Sequence, residues 1–390
     1  MSQMKIGILG GGQLGRMLWE ASCSLGLPPS PVYHPEVQCP AGRAHANIIQ
    51  GEITEIPKLS AFFRSVDSYA IENEFLDIKS IEQAWGSSRT QPAPSLEGLR
   101  IAQDKLEQKK FFQKNGFPTS EYLEILPADL EAAEKLEQLH KKWQGFVIKK
   151  ARMGYDGKGN FAAAPSEPLN FSNIKNFCQE AFASQSRVYA EKFVPFVKEV
   201  ALVSCQSFAG DFGSYPLIET IQKKGVCFLA MKALHEEKNE ARAREMARLI
   251  GTKLNLLGTF AVEFFITQSG ELLVNEMAPR VHNSGHFTQK AAKSSQFEMH
   301  LKSYWQKQFN PQDFETAKAF AMVNFLGPEG VRGPVGRPKN PQIYWYDKEM
   351  TSPGRKLGHM IAQSGDEKAL PELLEALKAA ESQWQESLRP

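Results

Sequence analysis

The run Lys5-Ile6-Gly7-Ile8-Leu9-Gly10-Gly11-Gly12-Gln13-Leu14-Gly15-Arg16-Met17 constrains this chain more than any other stretch. An apolar segment of strand length ends in glycines, and a helix-like stretch follows through Leu25. Strand, tight turn and helix in that order open a βαβ unit, so the N-terminal part is expected to hold a parallel sheet. Gly10, Gly12 and Gly15 also spell G-x-G-x-x-G, which in this setting reads as a dinucleotide fingerprint. That fingerprint needs an acid about 20 residues further on, at the end of a second strand. Glu36 lies near that distance, but the segment Pro28-Pro29-Ser30-Pro31-Val32-Tyr33-His34-Pro35 is proline-broken and reads as a poor strand. A nicotinamide cofactor and some other ligand close to the backbone both remain open at this point.

At 390 residues the chain exceeds one ordinary core, and two or three domains are expected. Short apolar strands and helical stretches alternate to about residue 100, with strands at Lys5–Leu9 and Ser68–Ile71 and a helix at Leu14–Leu25 closed by Gly26 and Pro28. Thr90–Ser95 reads as a linker. Helices are expected at Asp104–Asn115, closed by Gly116 and Pro118, and at Glu131–Lys142. Strands then dominate: Phe146–Lys149, Val188–Phe193, Glu199–Ser204, Thr259–Ile266 and Leu272–Asn275. A helix at Glu240–Ile250, a largely helical Gly285–Trp305 and a last helix at Pro371–Glu381 complete the plan.

A formal charge of +2 gives no electrostatic reason to expect a nucleic-acid partner. No apolar stretch approaches the ~20 residues of a membrane span, and the N-terminal run is too short and glycine-broken for a signal peptide. The five cysteines form no C-x-x-C pair. They read as reduced thiols of a cytoplasmic protein, without a zinc site.

Four constellations carry chemistry. In Thr259-Phe-Ala-Val-Glu263 to Asn275-Glu276, two strands flank a turn read as the two residues Ser269-Gly270. That register sets Glu263 directly opposite Glu276. Two opposed carboxylates in an apolar hairpin repel, and a divalent cation removes the penalty. Oxygen ligands with Asn275 beside them suit Mg²⁺ completed by phosphate oxygens, which points to ATP. The second is Ile148-Lys149 running into Gly154-Tyr155-Asp156-Gly157-Lys158-Gly159-Asn160. Its glycines let backbone N–H groups approach phosphate and its lysines add charge; a glycine-rich surface hairpin fits the same residues equally well. The third, Ala278 to Thr288, crowds Arg280, His282, Asn283, Ser284 and His286 before a helix and suits an anion. The fourth, Tyr346-Asp347-Lys348 with Pro353-Gly354-Arg355-Lys356, is by itself an ordinary basic turn.

Together, GGGQLGRM, GYDGKGN, NEMAPRVHNSGHFT, SQFEMH and WYDKE…PGRKLGH, in that order over nearly the whole chain, resemble the ATP-grasp superfamily. More narrowly they resemble the 5-(carboxyamino)imidazole ribonucleotide synthases of purine biosynthesis. The resemblance implies an α/β and α+β chain, an ATP-grasp fold behind a Rossmann-like N-terminal domain. Its parts would be residues 1–102, a small subdomain with a mobile lid at 103–190, and a large subdomain with the C-terminal segment at 191–390. It implies that ATP phosphorylates bicarbonate to carboxyphosphate, which carboxylates the amine of 5-aminoimidazole ribonucleotide and leaves ADP and phosphate. A homodimer is the family expectation.

By motif, the resemblance implies that Glu263 and Glu276 hold Mg²⁺ and that Asn275 sits at the nucleotide. Lys105 and Lys149 would contact ATP, and Gly154–Asn160 would form the lid, with Tyr155, Asp156 and Lys158 facing the reacting groups. Glu191, Lys192, Phe193 and Val194 would hold adenine largely through backbone groups, and Glu199 the ribose hydroxyls. Gly12, Gln13, Leu14, Glu74, Arg280, His282, Asn283, Ser284, Lys348, Arg355 and Lys356 would lie on the ribonucleotide side, with Lys348 also counted as catalytic. In such proteins the glycine turn faces the aminoimidazole nucleotide and no dinucleotide. The competing readings are another ATP-grasp ligase, such as a formate-dependent glycinamide ribonucleotide transformylase, and a nicotinamide dehydrogenase.

Overall fold

The computed structural model describes residues 4–86, 95–131, 133–152, 159–164 and 169–388. Of the expected linker, only Ser95 lies among them, and it caps the Leu96–Ala102 helix by accepting the Gly98 N–H. The strands of the described residues form three sheets.

The first sheet is parallel, with order β3-β2-β1-β4: β1 Ile6–Leu9, β2 Val32–His34, β3 Ile48–Gln50 and β4 Ser68–Ile71. All of β1 is buried, as a strand covered on both faces should be. The expectation of a poor strand after Pro31 is corrected here. Val32–His34 pairs with strands on both sides, and the Pro31 carbonyl accepts the Ile8 N–H at 2.9 Å. Proline at the entry to a strand lacks only a donor that the ladder does not use there. Gly10, at φ +107°, turns the chain into the Gln13–Ser24 helix. A Cβ on Gly15 would lie 2.1 Å from the Gly10 carbonyl oxygen, so this turn tolerates no side chain.

The second sheet is antiparallel, with order β5-β8-β6-β7: β5 Tyr122–Ile125, β6 Phe146–Lys150, β7 Asn160–Ala163 and β8 Val188–Lys192. Its apolar face packs on the Ala133–Trp143 and Phe171–Ala183 helices through Leu136, Trp143, Ile174 and Cys178.

The third sheet comprises β9 Phe196–Gln206, β10 Phe212–Ser214, β11 Ile218–Lys223, β12 Val226–Lys232, β13 Gly258–Thr267, β14 Leu272–Ala278, β15 Ala319–Leu326, β16 Tyr344–Trp345 and β17 Lys356–Ser364. The order is β14-β13-β9-β11-β12-β15-β17-β16, with β10 beside β9. The Glu237–Leu254 helix buries Ala243, Met246, Ala247 and Ile250 against it. Gly285–Trp305, expected to be largely helical, is broken into Thr288–Ala291 and Gln296–Lys302. Ser295 and Glu298 form a capping box that starts a new helix and so divides the stretch.

The Lys105–Lys114 helix joins the second and third sheets. Phe112 enters the large core and Leu106 packs on Ala151 and Tyr189 of the small one. Asp104 caps it, accepting the Leu106 and Glu107 N–H groups, and also takes Arg187 at 2.8 Å and Arg152 at 3.2 Å. The N-terminal sheet shares its core with the loop and helix after β14, through Val281, Phe297 and Leu301, and with the C-terminal segment, through Tyr346. Arg16 meets Asp347 at 2.7 Å across that contact. No helix of the described residues is long and apolar enough to cross a membrane.

Gly15→Ala should destabilise the protein by about 1–3 kcal/mol, the usual cost of forcing atoms into a packed site. Urea denaturation followed by circular dichroism measures this; an unchanged midpoint would contradict the close approach of Gly15 to Gly10.

Candidate active site

The hairpin of β13 and β14 sets Glu263 opposite Glu276. The turn is one residue longer than the sequence suggested, which corrects the Ser269-Gly270 reading. The Thr267 and Glu271 backbones pair around it, with Gly270 left-handed at φ +76°. That turn alone would bring Asn275 opposite Glu263. The register instead shifts between Glu263 and Phe264, and Phe264 pairs with Val274. Asn275 is the extra residue of this bulge, and the bulge returns Glu276 to Glu263.

Nitrogen-bearing side chains from other elements meet the two carboxylates. Lys105, at the start of its helix, lies 2.5 Å from Glu276, and His282 Nε2 lies 3.2 Å from Glu263. Lys105 holds the Glu276 carboxyl below its usual range despite burial, with Lys149 adding to the effect. Among the described residues no group of three His, Cys, Asp or Glu side chains is arranged to hold a metal ion. Glu263 and Glu276 are thus a two-carboxylate oxygen set, which fits Mg²⁺ completed by water and phosphate oxygens.

Beside this pair lies a buried cluster that sequence reasoning missed in part. Glu191, on β8, is 3% exposed, and its carboxylate takes Lys109 at 2.7 Å and Lys149 at 2.6 Å, together with the Ser120 hydroxyl. Burial pushes the Glu191 carboxyl up, but the two ammonium groups outweigh it and hold the carboxyl well below the carboxylate range. Lys109, only 1% exposed, has all three donors used, the other two by Thr119 and Ser120 at 2.9 Å each. It lies in the charge-rich helical run Asp104-Lys-Leu-Glu-Gln-Lys-Lys110, where no local signal sets it apart from its neighbours. Glu191 therefore acts through its side chain, beyond the backbone role expected of its strand.

The neighbours of Glu191 are placed as follows. Lys192 pairs with Glu121, the Phe193 N–H donates to the Gly145 carbonyl, and the Val194 carbonyl accepts the Phe196 N–H. Asn160 opens β7 opposite Lys149, and the Gly159 carbonyl accepts the Lys150 N–H. Gly154, Tyr155, Asp156, Gly157 and Lys158 lie outside the described residues.

The expected ribonucleotide side includes the glycine turn. The Gly12 N–H donates to the Glu72 carboxylate, and a Cβ on Gly10, Gly12 or Gly15 would run into Glu72. The turn therefore cradles the protein's own carboxyl, which burial pushes above its usual range and on which Lys348 and Arg280 also act. Glu72 was missed in favour of Glu74. Glu74 instead forms a bidentate pair with Arg280, at 2.5 and 2.8 Å. Gln13 begins the first helix, and the Leu14 side chain is buried in the core, so only its backbone faces the turn.

His282 caps a short turn, with Ser284 on its Nδ1, while the Asn283 amide pairs reciprocally with Asn324 at 2.8 and 3.0 Å. Asn324, in the middle of β15, was not singled out by the sequence. His286 is buried and bonded to Gln296, a structural role. Lys348 donates to the Lys356 carbonyl at 2.8 Å and Arg355 to the Met350 carbonyl at 2.7 Å.

Glu199, on β9, is pushed up to about 7, first by burial and then by Glu263. In the unfolded chain it titrates near 4.5. Between these values the unfolded chain releases the proton and the folded chain keeps it, so stability falls as pH rises through that window. Glu199→Gln removes this loss. The stability difference should move in the variant's favour from pH 4 to pH 8, as measured by denaturant titration; a difference independent of pH would contradict the shifted carboxyl.

Three domain families match the chain. A ribonucleotide synthetase preATP-grasp domain matches residues 3–103, an ATP-grasp domain residues 110–297, and a phosphoribosylaminoimidazole carboxylase C-terminal domain residues 321–372. The chain is 32% identical to the chloroplastic phosphoribosylaminoimidazole carboxylase of Vigna aconitifolia, covering 92% of this chain and only 64% of that longer protein. It is 30% identical to the N5-carboxyaminoimidazole ribonucleotide synthase of Bacillus subtilis, covering 91% of this chain and 90% of the relative. The Aspergillus clavatus N5-carboxyaminoimidazole synthase, solved with ADP and 5-aminoimidazole ribonucleotide, superposes with a TM-score of 0.83 at 25% identity over 98% of this chain and 99% of that one. The glycine turn, the two-carboxylate hairpin and the His282 loop thus sit in a chain that belongs to the N5-carboxyaminoimidazole ribonucleotide synthase family of ATP-grasp proteins.

Proposed function

We propose that this protein carboxylates the exocyclic amine of 5-aminoimidazole ribonucleotide, using ATP and bicarbonate, in purine biosynthesis. The observation that carries the reading is the opposed pair Glu263 and Glu276, ringed by Lys105, Lys149 and His282. It is joined by a glycine turn built around a carboxyl rather than a pyrophosphate. The named relatives and the complex of the fungal synthase with ADP and the ribonucleotide support it.

Mg²⁺ held by Glu263 and Glu276 would neutralise charge on the transferring phosphoryl group. Lys149 and Lys105 each have a carboxylate partner now, and each can exchange it for a phosphate oxygen when nucleotide enters. Glu199, half-buried beside the hairpin, would hydrogen-bond the ribose hydroxyls. A bicarbonate oxygen attacks the γ-phosphorus, the bond to ADP breaks, and carboxyphosphate forms. The amine nitrogen then bonds to the carboxyl carbon, phosphate leaves, and the amine gives up a proton. Carboxyphosphate is labile in water, so the site must exclude solvent during this step.

Arg280, His282, Asn283, Ser284, Lys348, Arg355 and Lys356 form the ribonucleotide side, with Gly12, Gln13 and the Leu14 backbone at its edge. Tyr155, Asp156 and Lys158 complete the reading as lid residues facing the reacting groups. The division at 102 and 190, a cytoplasmic location and a homodimer belong to the same proposal.

Phosphate release from Mg-ATP, with the ribonucleotide and bicarbonate each added and omitted, tests the activity. Release that needs the ribonucleotide and rises with bicarbonate supports it; release indifferent to the ribonucleotide points to another amine, with formate ligation tried first. Glu276→Ala should lower ATP turnover by about 10³-fold or more while leaving the circular dichroism spectrum unchanged. Near-normal turnover by that variant would refute the hairpin site.

A further inference from the structure

We propose that Gln296 is a positioning residue of the nucleotide–metal site, acting through His282 on Glu263; the inference rests on the reading of Glu263 and Glu276 as the Mg²⁺ carboxylates. Gln296 lies in Ser295-Gln296-Phe297-Glu298-Met299-His300, a motif to which the reaction assigns no role. Its side chain is fully buried. The amide Oε1 accepts the His282 N–H at 2.9 Å, and Nε2 donates to the His282 carbonyl at 2.7 Å. One side-chain amide thus takes both backbone groups of one residue, as a neighbouring strand would. The second Nε2 hydrogen faces His286 Nδ1 at 3.0 Å.

Gln296 is itself fixed at both ends of its backbone. Its N–H donates to the Thr288 hydroxyl at 2.9 Å, and its carbonyl accepts the Thr259 hydroxyl at 2.8 Å. The chain passes so close that a Cβ on Gly285 would lie 2.5 Å from Gln296 Oε1.

The clamp reaches the carboxylate through the His282 ring. The Ser284 N–H points at Nδ1 at 3.4 Å, and a backbone N–H can only donate. Nδ1 is therefore the acceptor, the neutral ring carries its proton on Nε2, and that side of the ring faces Glu263 Oε1 at 3.2 Å. Fixing the His282 backbone fixes this ring, and the ring aims the Glu263 carboxylate at the space it shares with Glu276. The glutamine amide offers a donor and an acceptor on separate atoms of one planar end. Glutamate keeps the acceptor and loses the donor, and methionine loses both.

The test is calorimetric binding of ADP with and without Mg²⁺ to the full-length protein, beside the Mg²⁺ dependence of turnover. Gln296→Met should weaken Mg²⁺-dependent ADP binding about tenfold, the usual effect of removing a partner that orients a metal ligand. Binding of ADP without metal should stay unchanged, and half-maximal turnover should need more Mg²⁺. Gln296→Glu, which keeps the size and one bond, should fall between and serves if the methionine variant does not fold. In a cycle with His282→Ala, the double variant should be no weaker than His282→Ala alone. Unaltered Mg²⁺-dependent binding in both Gln296 variants, or additive losses in the cycle, would overturn the inference alone. Wild-type protein that binds ADP equally with and without Mg²⁺ would overturn the metal reading, and this inference with it.

Discussion

The site depends on two like charges held face to face on neighbouring strands. Directly opposed carboxylates destabilise a strand pair, yet β13 and β14 spend a bulge at Asn275 to put Glu276 opposite Glu263. The nitrogen-bearing side chains around the hairpin follow from this arrangement. Lys105 comes from a helix, His282 from a loop after β14, and Lys149 from the second sheet by way of Glu191. Each is tied to its own element, so offsetting the repulsion also draws those elements together. A bound Mg²⁺ and nucleotide phosphates would satisfy the same groups with a different set of partners.

The Lys105–Lys114 helix is where these ties converge. One turn of it reaches Glu276 through Lys105, and the next enters the buried pair of Lys109 with Glu191. Its cap, Asp104, takes two arginines from the loops of the small sheet. Removing one partner of a buried pair leaves a charge uncompensated at a cost of about 3–5 kcal/mol. The Lys109–Glu191 contact, which joins the helix to β8, therefore fixes the small sheet where Lys149 can serve the site.

The glycine turn shows how one local motif can hold different chemistry. Its N–H groups and missing side chains would suit a pyrophosphate, but Glu72 from the end of β4 fills the space. Lys348 and Arg280 act on that carboxyl from the C-terminal turn and the hairpin exit. The N-terminal sheet and the C-terminal segment share one core, which brings three stretches distant in sequence to the same carboxyl.

Much of this was legible locally. The strand–turn–helix at Ile6–Ser24 and the stop of the Lys105–Lys114 helix follow from short-range rules of periodicity and capping, whereas the Glu263–Glu276 opposition was read from a two-residue turn that the structure does not have. The hairpin shows the limit of such rules, since a longer turn and a bulge compensate for one another and neither is visible in the spacing. Val32–His34 was legible only as broken by prolines, because what makes it a strand is a β1 edge waiting for a partner. Lys109, Glu72, Asn324 and Gln296 were invisible for a common reason. Each is a polar residue fixed by partners well separated from it along the chain, which its immediate neighbours in sequence do not identify. The sequence by itself determined most of the element types and which residues have chemistry suited to metal and phosphate. Only the tertiary structure decided which charges neutralise one another, because an ion pair or an amide clamp depends on distance in space, which spacing along the chain does not encode.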